Sequence, residues 1–230
     1  MTDLTVLFFG DDQTLPDGDE AGLGWIGRLA RAERRFGSAV SFYPLGVAGD
    51  RTADIARRWS AETALRLPEG AGGLLVFAFG RNDMAAADDQ TLRANLPETL
   101  FLAEEILRNA RELRPVLWLG PAPLGAKEVE LRDPEDRLWR HNNSRVAGLN
   151  ESFRTLARAI GVPYLDLYNL LLPDHRYMRA LKEGDKIHPA GEGHALIADH
   201  VCHWHRWRDH MALVHRPPET NGLKIANSGA

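Results

Sequence analysis

The chain has 230 residues, 44% hydrophobic and 26% charged, enough apolar material for one sizeable core and too much for a disordered or fibrous chain. Its 32 acidic and 28 basic residues are interspersed and leave a formal charge of -4, so nothing draws it to phosphate backbones or anionic lipid; neither nucleic acid nor a membrane is expected as a partner. Cys202 is the only cysteine, which rules out an internal disulfide and fits a reducing compartment.

Residues 1 to 10, MTDLTVLFFG, carry no basic segment ahead of the apolar run. That run is too short for a signal peptide or a membrane span, so a cytoplasmic location is expected. LTVLFF (4 to 9) predicts a first strand and GLGWIGRLARAERRF (22 to 36) a helix. VSFYPL (40 to 45) and TADIARRWSAETALRL (52 to 67) repeat the pair, as do GLLVFAF (73 to 79) and the helical pattern of 91 to 114, whose start is expected near Pro97. PVLWLG (115 to 120) predicts a fourth strand. Residues 121 to 142, PAPLGAKEVELRDPEDRLWRHN, are charged and Pro-containing and read as a surface loop with a short helix, a candidate lid or rim. SRVAGLNESFRTLARAI (144 to 160) predicts a helix, VPYLDL (162 to 167) a fifth strand, and GEGHALIADHVCHWHRW (191 to 207) a closing helix. A polar tail over 211 to 230, in which Pro217-Pro218 ends any helix, follows a domain of residues 1 to 210. Strands with continuous apolar runs, alternating with helices, predict an α/β sandwich around a mainly parallel sheet.

In such sheets ligands bind beyond the carboxyl ends of the strands. Gly10-Asp11-Asp12 follows the first strand, GVAGDRT with Gly46 and Gly49 the second, and GRND with Gly80, Arg81, Asn82 and Asp83 the third. Near the C-terminus, DKIHP places Asp185 three residues before His188. Glycine lets a backbone N–H approach a developing negative charge, an amide adds a second fixed donor, and a histidine oriented by a carboxylate shuttles protons near neutrality.

Four such segments, in this order and each at a strand end, resemble the SGNH or GDSL-type hydrolase superfamily over residues 4 to about 207. The resemblance implies a flavodoxin-like three-layer α/β/α sandwich with a five-stranded parallel sheet, a small-molecule substrate, no cofactor and no metal. It implies an oxyanion hole from the N–H groups of Asp12 and Gly49 and the Asn82 amide, with His188 as general base and Asp185 as its orienting carboxylate. The sequence departs from the family where the serine nucleophile belongs, because Asp12 stands there, followed by Gln13 and Thr14, and the nearest serine is Ser38.

Several readings of Asp12 are open. It could attack an sp3 carbon, such as that of an epoxide or alkyl halide, to give an enzyme ester that His188-activated water hydrolyses. It could work with His188 as an acid or base. It could help activate water against an acyl substrate, although its charge would repel the oxyanion. It could stand for a serine in an otherwise ordinary esterase, belong to a relative that binds without turnover, or simply cap the following N–H groups.

Asp11, Asp50 and Asp83 read as braces of their loops, and the Thr14 hydroxyl as aimed away from the site. Arg81 reaches either an anionic substrate group or Asp12, or is a solvated surface side chain. His200, His203, His205, His210 and His215 lie close together without a metal-ligand string and read as surface groups. Trp139 and His141 read as rim residues, and Cys202 as a small buried hydrophobe.

Overall fold

The computed structural model describes residues 4–35, 40–133 and 136–212. Ser38, His215, Pro217-Pro218 and the tail from residue 213 onward lie outside the described residues. The chain runs β1 (Leu4–Gly10), α1 (Gly24–Arg35), β2 (Val40–Gly46), α2 (Thr52–Arg66), β3 (Gly73–Ala78), α3 (Leu96–Leu113), β4 (Val116–Leu119), β5 (Glu128–Arg132), β6 (Leu138–Asn142), α4 (Asn143–Ile160), β7 (Tyr164–Leu165), α5 (Leu167–Leu171), α6 (His175–Glu183), α7 (Gly191–His203) and α8 (His205–Ala212).

The five predicted strands pair in parallel in the order β2-β1-β3-β4-β7, with Gly10 level with Gly46 on one side and Ala78 on the other. Side-chain alternation splits each buried strand between two cores. Val6, Phe8, Leu74 and Val76 pack with Trp25 and Leu29 of α1, Tyr177 of α6, Ile197 of α7 and Trp207 of α8. Leu7, Phe9, Leu75 and Phe77 pack on the opposite face with Ile55 and Trp59 of α2, Ile106 of α3 and Phe153 of α4. This is the expected three-layer sandwich. Each fully buried large side chain contributes roughly 1.5–3 kcal/mol of transfer free energy. No helix among the described residues is long and apolar enough to cross a membrane.

Local chemistry sets the helix ends. Asn95 caps α3 by accepting from Glu98 N at 2.8 Å, with Pro97 in the first turn as expected. Gly161 ends α4 at φ 68°.

Residues 121–142 differ from the expected loop with a short helix, since β5 and β6 form an antiparallel hairpin pairing Leu131 with Trp139 and Val129 with His141. The strict alternation of E-V-E-L-R puts Val129 and Leu131 on one face and the charges on the other, a period-2 signal masked by overall polarity. The expected single closing helix is also two helices, broken at Trp204, whose ψ of 123° is extended. The break lets α8 bury Trp207, whose ring lies 5.8 Å from Phe42 and whose Nε1 donates to Glu33 at 2.8 Å. The short helices α5 and α6 were not anticipated. Cys202 is buried as expected, and burial raises its thiol pKa.

Candidate active site

β1 and β3 are adjacent in the sheet while their outgoing chains turn to opposite layers, so a crevice opens beyond their carboxyl ends. The chain leaves β1 through a tight turn over Asp12–Thr14. Asp11, not Asp12, caps it by accepting from Gln13 N at 2.9 Å, so the capping role considered for Asp12 falls to its neighbour. The Thr14 hydroxyl donates to Asp11 O at 2.8 Å and is aimed away from the site. Gln13 bridges to the segment after β4, donating to Gly120 O at 3.1 Å and accepting from Ala122 N at 2.8 Å, and Trp25 Nε1 donates to Gln13 O at 2.7 Å. These bonds from Gln13 to the segment after β4 and to α1 fix the turn that carries Asp12.

The Asp12 side chain projects at the donors expected of an oxyanion hole. Gly49, at φ +75° where an L side chain would be strained, aims its N–H at both carboxylate oxygens, 3.2 Å from each. Asn82 Nδ2 donates to Asp12 Oδ2 at 2.5 Å and to Asp50 O at 3.2 Å. Asn82 is placed by the turn after Gly80, whose φ of +109° and contact with the Phe153 ring leave no room for a Cβ. Asp83 holds that turn to α2 and α3, accepting from Thr52 N at 3.0 Å and Thr99 Oγ1 at 3.1 Å, while Asp50 pairs with Arg58 at 2.8 Å. Both act as the expected braces.

His188 approaches from the loop before α7. Its Nδ1 meets Asp185 Oδ2 at 2.7 Å, and Asp185 Oδ1 accepts from the backbone N–H groups of Ile187 and His188 at 2.8 and 2.7 Å. Burial raises the Asp185 carboxyl pKa, but the hydrogen bonds and charge of His188 outweigh it and hold the group ionised, well below the usual range. An ionised acceptor places a proton on Nδ1 and leaves Nε2 as the ring nitrogen turned toward Asp12. Nε2 lies 3.9 Å from Asp12 Oδ1 and makes no hydrogen bond among the described residues.

Arg81 is not the solvated arginine considered from the sequence, for it is only 3% exposed and donates through Nη1 to Ile187 O at 3.2 Å. Its charge acts on Asp12. Burial pushes the Asp12 carboxyl up, but Arg81, the Asn82 hydrogen bond and His188 together bring it below the ordinary value, so Asp12 is an anion.

A cleft of about 360 Å³ opens on Asp12, lined by Ala48, Gly49, Asn82, Arg93, Leu131, Trp139 and His141 among others. The β5–β6 hairpin forms one wall. His141, expected at the rim, is 2% exposed, and burial followed by the nearby Arg81 charge lowers its pKa to about 3, so it is neutral. Arg93 stacks 4.9 Å over Trp139 and donates to Gly49 O at 3.0 Å, tying the wall to the Gly49 turn. The sequence reading missed Arg93 altogether, and the alternation of L-W-R-H-N was the signal that could have placed His141 inward. A larger groove of about 520 Å³ between α1 and α7 gathers no comparable set of converging polar groups. The closing-helix histidines form no metal-ligand group among the described residues; the set with such spacing is Asp12, Asp17 and His188.

The model of the GDSL-like lipase/acylhydrolase family matches residues 8–196. The chain belongs to that family. Its fold is shared with a lipase/acylhydrolase from Enterococcus faecalis at 19% identity and a TM-score of 0.69, covering 94% of this chain and all of that one. A member of the lipolytic G-D-S-L family from Veillonella parvula superposes at a TM-score of 0.62 and 16% identity, covering 86% of this chain and 96% of that one. An acetylxylan esterase from Geobacillus stearothermophilus gives 0.63 and 17%, over 85% and 91% of the two chains. No curated protein matches the chain. At these identities the structures speak for the fold alone, which is that of a GDSL-family hydrolase.

Proposed function

We propose that this GDSL-family protein is a hydrolase of a small molecule in which Asp12, at the family's serine position, is the nucleophile and attacks an electrophilic sp3 carbon such as that of an epoxide or alkyl halide. The observation that carries the reading is the unequal setting of the two carboxylate oxygens. Oδ2 is held at 2.5 Å by Asn82, whereas Oδ1 faces the free Nε2 of His188. Oδ1 forms the new C–O bond, and the halide leaves with its electron pair, or the epoxide oxygen takes the pair and then a proton from solvent. Water then gives a proton to His188 Nε2 while its oxygen attacks Cγ of Asp12. Negative charge develops on Oδ2, where Asn82 and Gly49 already donate. Collapse expels the alcohol, which recovers the proton from His188, and the carboxyl proton is lost to solvent. Attack on an acyl carbon has less support, because Asp12 itself takes up both donors and its charge opposes a second oxyanion.

The acylhydrolase and esterase names of the similar structures support hydrolysis as the reaction class, and the cleft's size supports a small substrate. Styrene oxide and 1,2-dibromoethane serve as probes in water enriched in oxygen-18, with enzyme in excess for a single turnover. The expected result is unlabelled product and label in the Asp12 carboxylate, read by peptide mass spectrometry. Labelled product with unlabelled Asp12, or binding of both probes with no alkylation of Asp12, rejects the reading.

A further inference from the structure

Asp12 borders two spaces that share no other residue. On one side is the cleft walled by the hairpin; on the other is a chamber of about 10 Å³ lined by Asp12, Asp17, Arg81, Tyr177, His188 and His194 among others. That is about the room one water takes. Three of its lining residues carry buried nitrogen atoms with no hydrogen-bond partner among the described residues: Arg81 Nε and Nη2, His188 Nε2 and His194 Nδ1. An orphaned buried donor or acceptor costs about 1–3 kcal/mol, so several of them on residues lining one small space call for a ligand that can both donate and accept.

The acceptors fit the same ligand. A carboxylate oxygen of Asp12, one of Asp17 and a ring nitrogen of His188 all lie within 4.8 Å of one another, so one water oxygen can stand within hydrogen-bond reach of all three. His194 Nε2 meets the Asp17 carbonyl at 3.0 Å, and since that oxygen can only accept, Nε2 carries the proton and ties Asp17 to α7. Asp17 itself is exposed, which gives the chamber a door to bulk water.

We propose that this chamber seats the hydrolytic water, with Asp17 and Arg81 as the residues that position it; the inference rests on the reading of Asp12 as an ester-forming nucleophile. The water gives one proton to His188 Nε2 and holds the other toward Asp17. Arg81 donates to its oxygen, whose remaining lone pair points at Cγ of Asp12. Substrate and water thus reach the same carboxyl group from different spaces, and alkylation need not displace the water. A divalent cation would suit the Asp12, Asp17 and His188 atoms by spacing alone, but the Arg81 guanidinium in the same chamber opposes a second positive charge.

Two measurements decide it. In a crystal structure of the full chain grown with manganese(II), one water should lie within about 3.2 Å of His188 Nε2, Asp17 and an Arg81 nitrogen. An anomalous manganese peak there, or a chamber without density, overturns the proposal. With styrene oxide, Asp17→Asn should alkylate Asp12 within about threefold of the parent rate yet release product at least about tenfold more slowly, so the covalent adduct accumulates in intact-mass spectra. An equal fall in both steps, or no slowing of release, overturns it. His188→Ala separates the two levels: adduct on His188→Ala but none on Asp17→Asn sinks the water seat alone, whereas no adduct on either sinks the nucleophile reading beneath it.

Discussion

Asp11 and Asp12 are neighbours in the chain, and the tip of β1 sends them into opposite electrostatic settings. Asp11 is fully buried, with Oδ1 accepting from Gln13 N and Oδ2 without a hydrogen bond among the described residues; burial, and next the charge of Asp12, push its pKa up to about 7. Asp12 is nearly as buried, yet Arg81, Asn82 and His188 reverse the effect of burial and keep it charged. Burial alone does not decide whether a carboxylate is an acid or an anion. The number and charge of the donors converging on it do.

The strongest way to break this contrast is to remove a donor from the charged side. Asn82→Ala should lower kcat for the epoxide probe by about 10²–10³-fold, because it deletes a hydrogen bond that strengthens as charge builds on Oδ2. A loss below about threefold in steady-state kinetics would show that Asn82 only holds its loop.

The uncharged side gives an effect of comparable size. Between pH 3.8 and about 7 the folded state keeps the Asp11 proton that the unfolded state has lost. Stability therefore falls as pH rises through that window and levels off above it. Asp11→Asn keeps an acceptor for Gln13 N but cannot ionise, so it should remove this slope and be more stable than the parent at pH 8 by about 4 kcal/mol, measured by urea unfolding. Parallel stability profiles for parent and variant would place the ordinary value on Asp11.

Asp12→Ser changes the roles at the tip. It supplies a hydroxyl within the His188 constellation and frees Gly49 N and Asn82 Nδ2 for a substrate oxyanion, so hydrolysis of p-nitrophenyl acetate should rise at least about tenfold over the parent. Continued inactivity would mean that the surrounding cleft is shaped for other chemistry. The smallest effect is expected at the wall. Trp139→Ala removes the ring under Arg93 and should raise KM about fivefold with little change in kcat, reflecting about 1 kcal/mol of cation–π and packing energy. A fall in kcat instead would place Trp139 against the reacting atoms.

Where local pattern governs, the chain was readable. The apolar runs ended in Gly10, Gly46 and Ala78 at one level of the sheet, and Asn95 and Pro97 marked the start of α3. The hairpin was missed because its alternation is only five residues long per strand and half its positions are charged or polar, so its composition resembled a loop. The break at Trp204 was missed because both halves of the closing segment are helical in pattern, and only the packing of Trp207 beneath β1 and β2 requires a turn between them.

The sequence by itself determined the layer architecture, the strand tips and the residue types that gather there, since each follows from periodicity, capping and glycine conformations within a few residues. Tertiary structure decided that Arg81 is buried, that His141 faces the cleft, and that Asp12 is an anion whose oxygens are held by groups 37 and 70 residues away. Charge state depends on distances across the fold between desolvated groups, and a linear pattern carries no record of those distances.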